Sequence, residues 1–182
     1  MQQTSKASFQ LMKSKRNEII LLRGSPGSGK SQVAKSLCDF FPKGVKLEVD
    51  TIRSMVISVD WTNQAEHINI LHLSTKLAYN FIQLGFNPVI VVDTFSGNKI
   101  QKFIEDLHQL DKLLFIKIFG LFTTEEELKK RIKLRKKGEF RNYKICKKLN
   151  EETLKFKYEG EIQINTTGLT SKDVAEMITL KV

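Results

Sequence analysis

The chain is poor in several things, and each shortage excludes something. Its 182 residues include two cysteines, Cys38 and Cys146, far apart and without Cys-x-x-Cys or Cys/His ligand spacing. Neither a disulfide framework nor a zinc site is indicated, and both read as reduced thiols. Three prolines and ten glycines against 41% hydrophobic residues exclude collagen-like, low-complexity and wholly disordered chains. Long apolar runs are missing: Ile19 to Leu22 and Val89 to Val92 span four residues each, whereas a bilayer-crossing helix needs about 20. The first sixteen residues carry Lys6, Lys13, Lys15 and Arg16 but no apolar stretch or small-residue cleavage site, so no secretory signal is read there. No membrane partner is expected, and the cytoplasm is the simplest compartment.

Acidic residues are also unevenly absent. The formal net charge is +10, and Lys129 to Lys148 holds eleven Lys/Arg against the single acid Glu139. The whole excess therefore sits in one segment, where an anionic partner should meet the protein.

Apolar β-type runs alternate with helical stretches. Strands are predicted at Glu18–Arg23, Val45–Val49, Pro88–Asp93, Leu114–Phe119 and Glu161–Asn165. Helices are predicted at Lys30–Asp39, His67–Leu84, Lys99–Leu110, Glu125–Lys136, Tyr143–Phe156 and Ser171–Thr179. Thr124 and Thr170, each with an acid three residues on, read as helix caps. Strand–helix alternation with near-continuous apolar strands implies an α/β fold, a five-stranded parallel sheet covered on both faces. Residues 1–16 read as a polar tail and 17–182 as one domain, with a basic helical lid at about 124–150.

Directly after the first strand stands Gly24-Ser25-Pro26-Gly27-Ser28-Gly29-Lys30-Ser31, opening a helix. This is a complete G-x-x-x-x-G-K-S phosphate-binding loop in the strand–loop–helix setting that it requires. Backbone N–H groups and the helix N-terminus would bind a polyphosphate, Lys30 would reach its β- and γ-phosphates, and Ser31 would offer a hydroxyl to Mg²⁺.

Charged residues at strand ends must then choose a reaction. Asp50 follows the second strand at the edge where open α/β sheets bind ligands; it reads either as a base for an attacking hydroxyl or as the cap of a short helix from Thr51. Asp93 closes Val89-Ile90-Val91-Val92, the pattern of a strand whose terminal carboxylate holds Mg²⁺. Arg131 and Arg135, four apart on a predicted helix, would share one face and reach one phosphate, or else pair with Glu127 or Glu125. His67, His72 and His108 lack metal or triad spacing and receive no role. Trp61 and the phenylalanines, Phe81, Phe86, Phe115 and Phe119 among them, read as core or lid packing.

With Asp50-Thr51-Ile52-Arg53, Val91-Val92-Asp93-Thr94 and Leu128 to Arg135 added to the glycine-rich loop, the chain resembles P-loop kinases of the group that includes phage-type polynucleotide 5′-hydroxyl kinases, zeta toxins and chloramphenicol phosphotransferase-like enzymes. The resemblance spans roughly Glu18 to Val174 and implies an α/β/α P-loop domain using ATP and Mg²⁺. It implies Asp50 as general base, Arg53 on the substrate's phosphate, Asp93 and Thr94 beside the acceptor, Arg135 on the transferred phosphoryl group and Arg131 as a second lid arginine. Where that group often has two adjacent acids, this chain has Asp50 and Thr51. The expected activity is phosphoryl transfer to a hydroxyl, with a nucleic-acid 5′ end as the acceptor that best suits the basic segment. The alternatives are a small acceptor, such as a nucleoside, nucleotide, sugar or antibiotic, and a non-catalytic ATP-binding regulatory module.

Overall fold

The computed structural model describes residues 16–182; most of the expected tail lies outside them. The apolar run after Asn17 becomes β1 (Glu18–Gly24), and Ile19 to Leu22 are all fully buried. A strand with apolar side chains on both faces needs cover on both, and β1 accordingly sits at the centre of a parallel sheet. Around it are β2 (Val45–Glu48), β3 (Val89–Val92), β4 (Phe115–Phe122) and β5 (Ile162–Asn165), in the order β2-β3-β1-β4-β5. This is a P-loop NTPase-like α/β fold, as the sequence predicts.

Period-two alternation sorts the core into two layers. Ile19, Leu21, Val89 and Val91 face α3 (Gln64–Gln83) and α4 (Lys99–Leu110), where Ala78, Phe103 and Leu107 meet them. Ile20, Leu22, Ile90 and Val92 face α1 (Lys30–Leu37) and α7 (Ser171–Thr179), through Val33, Leu37, Val174 and Ile178. The short α2 (Val49–Arg53) follows β2. The basic segment forms α5 (Glu125–Leu134) and α6 (Tyr143–Lys155), which bury Leu128, Ile132 and Cys146 between them. The segment is therefore not wholly a solvated flap. Asn150 of α6 bonds both the N–H (3.1 Å) and the C=O (2.8 Å) of Thr123, and α6 packs on β1 and β4. Among the described residues no helix is long and apolar enough to cross a membrane.

Several element boundaries shift from expectation by one to three residues, and four of the shifts are instructive. Helix α3 starts three residues early because the Asn63 side chain accepts the Glu66 N–H at 3.1 Å, a capping pattern that Asn63 and Glu66 carried in plain sight. Strand β2 stops at Glu48, so Asp50 lies inside the first turn of α2 rather than at a strand end or cap. Helix α5 stops at Leu134, leaving Arg135 extended with ψ 144°; Arg131 and Arg135 thus do not share a helix face. Strand β4 runs on to Phe122, with Gly120 in its interior. A Cβ on Gly120 would stand 2.0 Å from Glu161 Oε1, so the glycine makes space for a buried carboxylate.

That carboxylate belongs to an ion pair under α6. Arg23 Nε donates to Glu161 Oε1 at 2.8 Å, and its Nη2 donates to the carbonyls of Thr153 and Phe156. Both side chains are almost fully buried. Removing one partner of such a pair leaves the other charged and unsolvated, at about 3–5 kcal/mol. Glu161→Leu should therefore lower unfolding stability by about 3 kcal/mol or more in urea titration, and a loss below about 1 kcal/mol would mean that Arg23 finds other partners.

Candidate active site

Strand β1 delivers the glycine-rich loop to the carboxyl edge of the sheet. The turn into α1 requires Gly29, whose φ of 97° lies in the left-handed region that side chains disfavour. Lys30 Nζ donates to the carbonyls of Gly24 (2.8 Å) and Ser25 (3.0 Å), two of its three protons. The hydroxyls of Ser25 and Ser28 are buried without a hydrogen-bond partner among the described residues. Helix α5 presses on this loop: a Cβ on Gly27 would stand 2.9 Å from Leu128 Cδ1 and 3.0 Å from Ile132 Cδ1.

A cavity of about 310 Å³ opens beside the loop, lined by Pro26, Gly27, Gly29, Lys30, Ser31, Asp50, Asp93, Thr94, Arg131 and Arg135, with Gln32, Glu48, Val92, Glu139 and Phe140. Ten sequence-singled residues thus converge on one space, while Gly24, Ser25 and Ser28 lie buried in the loop itself. The chain brings them together from β1, α1, α2, β3 and α5, which only the parallel topology aligns at one sheet edge.

The two carboxylates are tuned apart. Burial, then the neighbouring Asp93, raises the pKa of Asp50 above the ordinary aspartate value, against the pull of Lys30, His67 and Arg53. Burial also pushes Asp93 up, but the hydrogen bond and charge of His67, the Phe95 N–H and Lys30 outweigh it, and Asp93 ends below the ordinary value. One carboxylate is thus disposed to take a proton and the other to stay ionised. Desolvation lowers Lys30 to about 8, although Asp93 and Asp50 pull it upward.

The arginines differ in what they already hold. Arg131 Nε donates to Glu127 (2.8 Å), as the alternative reading expected, while its Nη atoms reach Thr166 Oγ1 (3.0 Å) and the Thr166 carbonyl (2.8 Å). It clasps α5 to the turn after β5, and Thr166 Oγ1 in turn donates to the Ser28 carbonyl at 3.0 Å. Arg135 is freer: its Nε is buried with no hydrogen-bond partner among the described residues, and its Nη2 stands 3.8 Å from Glu139 Oε1. An unpartnered guanidinium N–H at the cavity is suited to an anion.

Arg53 departs from its expected place on a substrate phosphate. It is buried and does not line the cavity; its Nε donates to Glu66 (3.1 Å) and its Nη2 to the carbonyls of Asp60 (2.6 Å) and Asn63 (3.1 Å). Trp61 departs too, being 52% exposed against the Arg53 guanidinium rather than packed in core or lid. Phe86 is likewise exposed, whereas Phe119 is buried as expected. Sequence reasoning missed His67, whose Nε2 lies 3.2 Å from Asp93 Oδ1; nothing in the pattern links residues on α3 and β3. It also missed a second cavity of about 300 Å³, lined by Val33, Thr166, Leu169, Thr170 and Val174 and sharing Gly29, Gln32 and Arg131 with the first. A further hollow of about 630 Å³ between α3 and α4 shares no lining residue with the loop cavity.

The residues present fit Mg²⁺ held jointly with phosphates. Ser31 and Asp93 line one cavity, and among the described residues no three His, Cys, Asp or Glu side chains could hold a metal by themselves. Mg²⁺ typically takes one or two protein ligands plus phosphate oxygens and water.

Residues 19–155 match the model of a family described as an AAA domain. No curated protein matches the sequence. Among solved structures, the tunicamycin resistance protein of Deinococcus radiodurans superposes with a TM-score of 0.67 at 19% identity, over 91% of this chain and 95% of that one. The APS kinase CysC of Mycobacterium tuberculosis, in complex with AMPPNP and APS, gives 0.66 at 15%, over 92% and 99%. A chain of the Pnkp1/Rnl/Hen1 RNA repair complex gives 0.63 at 20%, over 82% of this chain and 49% of that one. At these identities the likeness is one of fold.

The depressed Lys30 has a measurable consequence. Below about pH 8 the ammonium is present in the free protein, and above it the charge is lost. ATP affinity at fixed Mg²⁺ should accordingly hold to about pH 8 and then fall, approaching tenfold per pH unit. Calorimetric affinities that stay flat from pH 7 to 9.5 would show that Lys30 keeps its proton.

Proposed function

The chain belongs to the AAA domain family, and from that premise we propose that it is an ATP- and Mg²⁺-dependent kinase transferring the γ-phosphoryl group to a hydroxyl, with a nucleic-acid 5′ end as the favoured acceptor. The observation that carries the reaction is the convergence of Lys30, Asp50, Asp93 and Arg135 on one cavity beside the phosphate-binding loop. The acceptor reading rests on charge. Lys129, Lys130, Lys133, Lys136, Lys137, Arg141, Lys144 and Lys148 are exposed, and none forms an ion pair among the described residues. An unneutralised cationic surface beside the cavity suits a polyanion.

In this reading the triphosphate lies along the loop N–H groups. The base enters the adjoining cavity between Arg131 and Leu169, since the two cavities share Gly29, Gln32 and Arg131. Ser31 and Asp93 are the residues that would hold Mg²⁺, which when bound neutralises phosphate charge. Asp50 takes the acceptor hydroxyl's proton as the oxygen bonds to the γ-phosphorus and the bond to the β-phosphate oxygen breaks, releasing ADP. Lys30 leaves its loop carbonyls for the phosphate oxygens, and Arg135 neutralises charge on the group in transfer. Closure of α5 and the segment after it over the cavity would limit water, which a kinase must exclude to avoid hydrolysis.

A small acceptor remains the second reading, favoured by two observations: the cavity holds only about 310 Å³, and the arginine expected on an acceptor phosphate, Arg53, is engaged internally. A transfer assay with γ-labelled ATP decides between them, offering 5′-hydroxyl DNA and RNA beside nucleosides, nucleotides, sugars and antibiotic alcohols. Label on an oligonucleotide end is expected; label confined to a small molecule overturns the acceptor, and ATP binding without any transfer leaves a regulatory module.

Asp50→Asn should reduce turnover by about 10² or more with ATP affinity nearly unchanged, and wild-type turnover in this variant would remove Asp50 as the base. Arg135→Ala should reduce turnover strongly, whereas neutralising Lys136 and Lys137 should mainly weaken oligonucleotide binding and flatten its salt dependence. Salt-independent binding would exclude the polyanion reading.

A further inference from the structure

Asp93 is held from two sides, and each hold has its own cause. Its Oδ2 accepts the backbone N–H of Phe95 at 2.8 Å. Phe95 is the one non-glycine residue with positive φ (47°) among those described, and its fully buried ring sits edge-on to Phe103 at 5.3 Å. Strained backbone of this kind persists where packing over-determines it, and here it aims an N–H at a carboxylate.

The other oxygen, Oδ1, faces His67 Nε2 at 3.2 Å. An imidazole nitrogen donates or accepts according to its tautomer, and what decides the tautomer is the partner of the second nitrogen. That partner is Lys99. Its Nζ lies 2.8 Å from Gln64 Oε1, 3.3 Å from His67 Nδ1 and 3.4 Å from Ser96 Oγ. Burial lowers the pKa of Lys99 from the ordinary lysine value; as the ammonium it has three protons and accepts nothing, so three neighbours account for all three and Nδ1 is the acceptor. Nε2 then carries the hydrogen and donates it to Asp93. Each Asp93 oxygen keeps a further lone pair, and the residue lines the cavity with Lys30 and Ser31.

We propose that Lys99 and His67 are positioning residues of the phosphoryl-transfer site: Lys99 locks the imidazole in its Nε2–H tautomer, and the imidazole orients Asp93 for the metal–nucleotide complex. The role rests on the kinase reading for its purpose but on geometry alone for the lock. Lys99 stands at the start of α4, His67 on α3 and Asp93 at the end of β3. The two helices that cover one face of the sheet therefore jointly set one carboxylate at its edge, as outer partners set the ligands of metal sites.

The test has two readouts. In protein labelled with ¹⁵N-histidine, the His67 resonances should show a protonated Nε2 and an unprotonated Nδ1, and Lys99→Met should abolish that preference. Separately, binding of the β,γ-imido analogue of ATP is measured with and without Mn²⁺. Lys99→Met should weaken the Mn²⁺-dependent component about tenfold while leaving metal-free binding unchanged, and Lys99→Arg should restore it. His67→Gln, whose amide can still donate to Asp93, should keep most of the Mn²⁺ effect that His67→Leu loses. A wild-type imidazole protonated on Nδ1 overturns the proposal, as does a Mn²⁺ effect untouched by Lys99→Met. Equal loss of both binding components would make Lys99 a purely structural residue and would also overturn it. Wild-type protein with the expected tautomer but no Mn²⁺ effect on nucleotide binding would instead refute the kinase reading and, with it, the purpose assigned to the lock.

Discussion

Charge held out of water at the carboxyl edge of the sheet is the constraint around which this molecule is organised. Lys30, Asp50 and Asp93 crowd one cavity of about 310 Å³, and a buried charge persists only with partners. The partners are therefore structural requirements as much as chemical ones. His67 and the Phe95 N–H keep Asp93 ionised, Lys30 rests on the carbonyls of its own loop, and the mutual repulsion of the carboxylates joins burial in raising Asp50. The same crowding that disfavours three charges in one place differentiates them into a carboxylate of raised pKa, a carboxylate of lowered pKa and a cation of softened basicity.

A second buried charge network stands one strand over, and its purpose is positional. Arg23 ends the apolar face of β1 and is answered by Glu161 and by the last turn of α6. Helix α6 is thereby fixed on the sheet, and through Cys146, Leu128 and Ile132 it carries α5 onto the phosphate-binding loop. Arg131 completes the connection by joining Glu127 and Thr166, while Thr166 reaches back to Ser28. The basic segment divides accordingly: Arg131, Arg135 and Lys147 have acidic neighbours and half-buried positions, and the remaining cations face solvent unneutralised. One stretch of sequence thus both lines the cavity and carries exposed cations beside it.

Much of this was legible in the chain because its signals are local. Four-residue apolar runs separated by helical lengths announce a parallel sheet, and G-x-x-x-x-G-K-S after the first of them places a phosphate-binding loop. Asp50 and Asp93 stand out because each follows an apolar strand and parallel topology carries every strand's carboxyl end to one edge, whereas Arg135 stands out only by a helical spacing from Arg131 that the structure does not keep. The departures are also of a local kind: the Asn63 cap that starts α3 early, the three residues by which β4 outruns Phe119, and the two by which α5 falls short of Lys136.

What the sequence determined by itself is thus the fold, the loop and the identity of the groups that reach the sheet edge, since propensity, periodicity and backbone-bound motifs act over a few residues. Tertiary structure alone decided how those groups are occupied. That Arg53 is engaged by Glu66 and the turn before α3 while Arg135 keeps an N–H unpartnered among the described residues, that His67 serves Asp93 and not the core, and that a second cavity adjoins the loop all depend on side chains from different elements meeting in space. Such meetings are fixed by packing and desolvation over distances that no spacing along the chain encodes.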